Sequence, residues 1–235
     1  CLGFDGRVVN GTWGAKLEKI AAEKHATLYV KEDLVDLIWK DRPALSKEPL
    51  FILEEKYSGK STKSKLADLR EVMKKEGTDT HILTSLYDIA WLLNIRGGDI
   101  AYVPVILSYL VVTEDECTWF LQEEVVTPEI RSYLDENHIT TRPYDAIYEY
   151  VPQIPAEAVV LMNAGTVNYR ICSSLKKEIK VVDKPNPTEL MKAIKNKTEV
   201  DNTRMACQRW CCIYQIYVLA ENQHWQDPND RDFCI

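Results

Sequence analysis

The chain has 235 residues, of which 46% are hydrophobic and 28% are charged, so it can bury one sizeable core or two modest ones. Its formal net charge of −7 argues against a nucleic-acid surface, because phosphate-binding surfaces are basic and clustered. There is no apolar run of about 18 residues, and the first residues lack the basic start and apolar core of a signal peptide. We therefore expect one or two α/β units in the cytoplasm, with neither nucleic acid nor a membrane as partner.

The first part of the chain is predicted to contain two helices and a strand. The apolar spacing favours a helix over residues 15–24 and a strand over 27–30, and acidic residues begin a second helix over 33–40. Pro43 and Pro49 disfavour helical geometry in the residues before them, which predicts a linker between them.

The next part is predicted to be a layered α/β domain with a mixed sheet. Helices are expected at 62–76, 129–136, 145–151 and 167–176, and a helical turn at 88–93. Strands are expected at 80–84, 103–113, 117–122, 139–142, 158–162 and 179–182, with 103–113 and 117–122 forming an antiparallel pair. Two prolines at 185–187 mark a boundary, after which Thr188 is predicted to cap a further helix.

Arg96 and Asp99 are the main candidates for a binding role, in a loop with Gly97 and Gly98 between them. The two glycines are expected to allow a tight loop with positive φ angles. Two interpretations stay open. Either Arg96 and Asp99 pair with each other and fix the loop, or Arg96 faces a cleft and binds a carboxylate or a peptide carbonyl through its planar fork of donors.

Other candidate residues also have a structural and a functional interpretation. Trp91 and Tyr102 are either an aromatic wall for a peptide or, in the case of Trp91, part of the core. His81 lies in an apolar strand and is predicted to be a hydrogen-bonded core residue. Residues 57–62 (YSGKST) resemble the end of a phosphate-binding loop but lack its first glycine, since Glu54 occupies that position, so we expect a turn that caps the following helix.

Residues 83–100 (LTSLYDIAWLLNIRGGDI), leading into 103–105 (VPV), carry a resemblance to a known family. Together with residues 38–43, 55–61 and 63–75 in the same order, this stretch resembles the N-terminal region of the Xaa-Pro aminopeptidases, the creatinase/prolidase-like metallopeptidases. The resemblance covers roughly residues 2–206 and implies a creatinase-N-like fold.

The resemblance implies a division of the chain into four parts. Residues 1–45 would be the end of a first creatinase-N-like domain, a partial copy that precedes a second domain at 46–184. Residues 185–206 would be the linker and first helix of a catalytic domain, and residues 207–235 would be a tail of different composition.

The resemblance also implies that the reaction belongs to a part of the parent enzyme that this chain lacks. The parent would act on peptides with proline in second position and release the residue before that proline. It would be a homodimer. Two divalent metal ions, Mn or Zn, would be held by five ligands in that catalytic domain. This chain would hold no metal and no catalytic residue, and Arg96, Asp99, Trp91 and Tyr102 would lie at most at the rim of the substrate cleft.

The tail from residue 207 contains four of the seven cysteines. Their spacing lacks the paired pattern of a zinc site, and a disulfide framework does not suit a cytoplasmic chain. Reading one base later from Ala206 allows, with suitable codons, an amphipathic peptide that resembles the start of the family's catalytic domain. We therefore expect residues 207–235 to be an out-of-frame product.

Two functions remain open from the sequence. The first is a non-catalytic N-terminal fragment of a Xaa-Pro aminopeptidase, which shapes the substrate cleft and contacts other subunits. The second is a stand-alone, non-catalytic module of the creatinase-N fold that binds a peptide or protein through the loop of Arg96.

Overall fold

A six-stranded mixed sheet forms the centre of the molecule. The computed structural model describes residues 1–30, 32–33 and 35–224, with side chains as far as 219. The strands of the sheet are β4 (Thr80–Leu83), β6 (Tyr109–Thr113), β7 (Cys117–Leu121), β8 (Ile139–Pro143), β9 (Val159–Met162) and β10 (Lys180–Asp183). Their order across the sheet is β10-β9-β4-β6-β7-β8.

Both parallel and antiparallel pairs occur in this sheet. The antiparallel pairs are β4 with β6 and β6 with β7, whereas β4–β9, β9–β10 and β7–β8 are parallel. The predicted antiparallel pair is therefore confirmed, but its first strand begins at Tyr109 and not at 103. Val105 and Ile106 are buried although they lie in a loop, and this burial explains why their apolar character suggested a strand.

Both faces of the sheet are covered by helices. On one face lie α3 (Thr62–Lys75), α4 (Leu86–Leu93) and α5 (Pro128–Glu136), which share a core centred on Leu69, Leu92 and Trp119. On the other face lie α6 (Ile147–Tyr150) and α7 (Tyr169–Ser174), around Ile82 and Phe120. The predicted α/β fold with a mixed sheet and flanking helices is thus confirmed.

A small unit precedes this domain. β1 (Leu2–Gly3) and β2 (Leu28–Tyr29) pair in parallel, and α1 (Gly11–Glu23) joins them. Helix α1 begins four residues before the predicted start because the Asn10 side chain accepts a hydrogen bond from the Trp13 amide and caps it. Its glycines allow close packing on α7, since a Cβ at Gly14 would overlap the ring of Tyr169.

In the segment between this unit and the domain, the described residues of the predicted helix over 33–40 form no helix. Residues 35–38 form a turn, in which the Asp36 amide bonds to the Asp33 carbonyl and the Ile38 amide to the Val35 carbonyl. The Asp33 carboxylate accepts a hydrogen bond from the Val35 amide. Such a local side-chain bond competes with the backbone bonds of a helix. Lys31 and Leu34 lie outside the described residues. Short strands β3 (Phe51–Ile52) and β5 (Ile95–Arg96) then pair antiparallel, and α2 (Glu55–Ser58) follows β3.

Two helices end the described part of the chain. These are α8 (Pro187–Ala193) and α9 (Lys197–His224). The prediction that Thr188 caps α8 is wrong: Asn186 occupies the cap position, and Thr188 is buried inside the first turn with its hydroxyl bonded to Asp88. The final residues of the predicted out-of-frame tail, 225–235 with Cys234, lie outside the described residues.

Residues 207–219 of α9 are almost all exposed. Their large apolar side chains are exposed, and they lie around most of the helix circumference rather than in one stripe (Trp210, Ile213, Tyr214, Ile216, Tyr217 and Leu219). Among the described helices, none combines the length and apolar character that crossing a bilayer would need.

Candidate functional site: the cleft between the sheet domain and helices α8 and α9

A cleft of about 370 Å³ lies where α8 and the start of α9 meet the sheet domain. Its walls come from α2, α3, α4, β5, the loop at 104–105, α8 and α9. We refer to it below as the cleft. Two of the four residues that the sequence singled out, Trp91 and Arg96, line it.

Lys65 is the buried cation of the cleft. It is 1% exposed, and its Nζ donates to the Trp91 carbonyl at 2.8 Å and to the Asn94 Oδ1 at 2.7 Å. The same ammonium lies 4.3 Å from the centre of the Trp91 ring, a cation–π contact. Burial lowers the pKa of Lys65 from its ordinary 10.5 to about 8, and Glu199 partly opposes this effect.

Asn94 holds Lys65 in place because it ends α4 in the left-handed conformation, with a φ of 50°. This turn directs its side chain back toward α3. Besides accepting from Lys65, the amide donates to the Lys60 carbonyl at 2.9 Å. A buried lysine is therefore bound by neutral oxygens and an aromatic face rather than by a carboxylate.

Arg96 has a fixed position and free donors. Its Nη1 donates to the Ala90 carbonyl and, at 3.1 Å, to the Ile95 carbonyl. The Ala90 carbonyl belongs to the last turns of α4, so this bond attaches the guanidinium to the helix end. Nε and Nη2 have no hydrogen-bond partner within the described part of the chain. Burial lowers the pKa of Arg96, while Glu199 acts in the opposite direction.

Glu199 faces these cations from the first turn of α9. One carboxylate oxygen accepts from the Trp91 indole Nε1 at 3.2 Å, and the other accepts from the Asn196 amide at 2.9 Å. The Asn196 Oδ1 in turn accepts from the Glu199 amide at 2.9 Å. The two residues form a reciprocal capping box, so the same carboxylate that closes the cleft also begins the helix.

A second set of contacts, which we call the seam, joins the end of α2 to the start of α9. Asn196 donates to the Ser58 carbonyl at 2.8 Å, and Asn202 donates to the Tyr57 carbonyl at 2.9 Å. Gly59 follows with a φ of 69°, and a Cβ there would lie 2.7 Å from the Thr198 Cβ and also overlap the Asn196 Oδ1. Glycine is thus required here for its conformation and for the close approach of α9.

Helix α8 is held against α4 by a buried carboxylate. Asp88 is fully buried and accepts from the Thr188 hydroxyl at 3.1 Å and from the Lys192 ammonium. Because Asp88 also lies in the first turn of α4, the N-terminal end of that helix favours its charge. This ion pair fixes one wall of the cleft.

Asp99 and Tyr102 are not among the residues that line the cleft. Asp99 does not pair with Arg96; its two oxygens accept from the Leu107 amide at 2.8 Å and the Glu48 amide at 3.4 Å, and so it fixes the loop. Tyr102, with a φ of 64°, is fully exposed outside the cleft.

The two glycines of this loop do not have the positive φ angles expected for them. Gly97 is favoured because a larger residue would not fit, since a Cβ there would lie 2.8 Å from the Ile106 Cγ1.

The cleft contains groups that bind but no arrangement typical of metal chemistry. Within the described ranges, no three His, Cys, Asp or Glu side chains lie where they could share a metal ion. His81 lies in the core, away from the cleft, and its Nδ1 lies 3.0 Å from the Leu161 carbonyl. The 57–62 turn behaves as predicted, because Ser61 caps α3 by accepting from the Ser64 amide at 3.2 Å.

Sequence reasoning missed Lys65 and Glu199. Lys65 has no sequence signal, because a lysine on a helix is normally solvated. Glu199 did have one: Asn196 and Glu199 have the spacing of a capping box.

The fold and a family profile define the class of protein. The family profile of the Creatinase/Prolidase N-terminal domain matches residues 41–199, which is more than half of the chain. The chain therefore belongs to the creatinase/prolidase N-terminal domain family.

Its relatives are named as Xaa-Pro aminopeptidases. The chain is 34% identical over 237 residues to a probable Xaa-Pro aminopeptidase P of Chaetomium globosum, in an alignment covering 94% of the chain and 38% of that protein. It is 33% identical to Xaa-Pro aminopeptidase 1 of Dictyostelium discoideum, in an alignment that covers 87% of the chain and 34% of that protein. The chain thus spans little more than a third of the length of these relatives.

A solved structure agrees with this assignment. X-prolyl aminopeptidase from Caenorhabditis elegans, described as a cytosolic enzyme with a di-nuclear active site, matches with a TM-score of 0.82 and 29% sequence identity. The match covers 93% of this chain and 38% of that one. The predicted resemblance to the N-terminal region of this family is confirmed.

Proposed function

We propose that this chain is the non-catalytic N-terminal part of a Xaa-Pro aminopeptidase. The observation that carries the proposal is the match of 93% of the chain to 38% of the C. elegans enzyme, together with a family profile that describes an N-terminal domain. In such a protein the sheet domain and the seam would position the catalytic part and shape one side of the substrate cleft.

The parent's properties are proposed on the same basis. Its substrates would be peptides with proline in second position, and two divalent ions, Mn or Zn, would lie in its catalytic part. We also propose a homodimer, on the basis of the family resemblance, and a cytoplasmic location, which the description of the C. elegans enzyme as cytosolic supports.

Two activity measurements test this proposal. The purified chain, supplied with Mn²⁺ or Zn²⁺, should not hydrolyse an Ala-Pro-Ala peptide; turnover by the chain alone would contradict the proposal. A chimera in which residues 41–199 replace the matching part of the C. elegans enzyme should retain activity. If the chimera folds but is inactive while the C. elegans enzyme is active, the proposed positioning role is wrong.

The domain limits are part of the proposal. We propose a partial first domain at 1–45, a second at 46–184, a linker and first catalytic helix at 185–206, and an out-of-frame tail at 207–235. The proposed start of the tail at residue 207 is supported by the exposed apolar side chains of α9 between residues 210 and 219. The nucleotide sequence across codons 200–235 tests it: a stop in the shifted frame, or no peptide resembling a catalytic domain, would refute it.

A second candidate function is supported by the cleft itself. In this proposal the chain is a non-catalytic module that binds a peptide or protein. Arg96 does not pair with Asp99 and lines a cleft of about 370 Å³, which lies in the size range of small-ligand sites. Peptide binding measured by calorimetry on the purified chain, without any catalytic part, tests this candidate.

A further inference from the structure

The charge of the cleft is opposite to that of the whole chain. Lys65, Arg96, Lys192 and Lys195 line it, and Glu199 is the one acidic lining residue among those that the structure describes. The chain as a whole carries −7. Such a local reversal concentrates anions at the cleft, because charges of one sign in a concave site reinforce each other.

Three of these cations form no ion pair in the described part of the chain; the third of them, Lys195, donates instead to the Lys192 carbonyl. Lys192 is neutralised by Asp88, whereas neither Lys65 nor Arg96 forms an ion pair in the described part of the chain. Glu199 is close enough to influence the pKa of both, but its oxygens bond to Trp91 and to the Asn196 amide. The cleft is therefore built with more buried positive charge than its own residues compensate.

Arg96 is the group with donors to spare. Its Nη1 is used by two backbone carbonyls, which prevents the side chain from rotating away. The Nε and Nη2 edge remains, and this edge has the parallel geometry that matches the two oxygens of a carboxylate. A guanidinium that is already held in place loses little side-chain entropy when it binds.

The rest of the lining suits an organic anion rather than an inorganic one. Leu53, Tyr57, Tyr87 and Pro104 contribute apolar and aromatic surface beside the charged groups. Surface of this kind favours a ligand that has an apolar body and one charged end.

We propose that the cleft binds the carboxylate of a short peptide, with the Nε and Nη2 edge of Arg96 as its partner and the aromatic lining in contact with the preceding residues. The proposal rests on the second candidate function, in which the cleft binds peptide. The carboxylate can come from a peptide C-terminus or from an acidic side chain, and the test separates the two. Glu199 opposes the ligand's charge and limits the cleft to a single carboxylate.

The test is calorimetric titration of the full chain with three peptides: Ala-Pro-Ala as free acid, Ala-Pro-Ala amide, and Ala-Pro-Glu amide. The free acid is expected to bind about 10- to 100-fold more tightly than the amide, the range expected for a hydrogen bond to a charged group. If Ala-Pro-Glu amide binds as tightly as the acid, the carboxylate is confirmed and a side chain also supplies it. If it binds like the neutral amide, the site is specific for a C-terminus.

Two variants with opposite expected effects exclude a merely structural explanation. Arg96→Gln should reduce the affinity for the free acid about 10-fold or more and leave the amide unchanged. Glu199→Gln keeps the capping box, because glutamine also serves there, and should increase the affinity for the free acid. Arg142→Gln is the matched control, since Arg142 stacks on Tyr150 outside the cleft, and it should change neither affinity. Circular dichroism checks that each variant is folded.

The outcomes separate this proposal from the function on which it rests. Equal affinities for acid and amide, or an unchanged acid affinity in Arg96→Gln, would overturn the carboxylate site while leaving peptide binding intact. If no peptide binds in any form, both the carboxylate site and the second candidate function are wrong.

Discussion

Gly59 is the position at which a single methyl group should separate α9 from the sheet domain. In Gly59→Ala the new Cβ meets Asn196 and Thr198, and the backbone must also keep a φ of 69°. The left-handed conformation costs about 1 kcal/mol for alanine, and loss of the Asn196 cap costs about 1 kcal/mol more. We expect Gly59→Ala to lower the free energy of unfolding by about 2–3 kcal/mol.

Gly77 provides a matched control for this substitution. It has nearly the same φ, 68°, but apart from its own chain neighbours no atom of the described residues lies within 4 Å of a Cβ placed on it. Gly77→Ala should therefore show the conformational cost alone, about 1 kcal/mol.

Urea unfolding followed by circular dichroism gives the two free energies. Amide hydrogen exchange over residues 197–203 shows whether α9 has detached locally, and exchange there should accelerate in Gly59→Ala only. If both variants lose the same stability and the exchange of α9 is unchanged in both, the seam does not hold α9, and the reasoning is wrong.

Three further predictions concern buried ionisable groups. Asp88→Asn leaves Lys192 without its carboxylate and should cost about 1.5–3 kcal/mol in urea unfolding, whereas the exposed control Asp68→Asn should cost about 1 kcal/mol or less. Burial lowers the pKa of His81 from 6.5 to about 4, so as the pH falls the unfolded chain binds the proton before the folded chain does. The free energy of unfolding should therefore fall by about 3 kcal/mol between pH 6.5 and 4. A pH series on His81→Leu should lack this fall. Burial likewise lowers the pKa of Lys65 from 10.5 to about 8, so between these pH values the unfolded chain holds a proton that the folded chain has lost. The free energy of unfolding of the wild type should therefore rise from pH 8 to 10.5 relative to that of Lys65→Met. If the two free energies change in parallel with pH, this reasoning is wrong.

The sheet domain could be predicted from the sequence because its signals are local. Strands β4, β7 and β9 are short apolar runs between turn residues, and α3 has Leu66, Leu69 and Met73 at helical spacing. Each of these patterns lies within one short stretch of the chain, so it can be recognised without knowing the tertiary contacts. The elements were therefore correct in type, with errors mainly at their ends.

The cleft could be predicted only in part, because its contacts join distant parts of the chain. Arg96 and Trp91 were found, but Trp91 and Glu199, which bond to each other, are 108 positions apart. Lys65 looks like an ordinary solvated lysine in its own helix. Only the packing of α4 and α9 around α3 shows that it is buried, and packing of this kind has no local pattern.

The central position of β4 has a consequence for the order in which the molecule folds. β4 lies between β6 and β9, and its residue Thr80 pairs with Val160, which is 80 positions further along. Closing so long a loop has a high entropic cost, whereas the hairpin of β6 and β7 closes over a few residues. We expect the hairpin to form first and β9 to join β4 last. During synthesis β4 therefore keeps one edge unpaired until residue 160 has left the ribosome, and pulse-labelled hydrogen exchange during refolding should show late protection at β9.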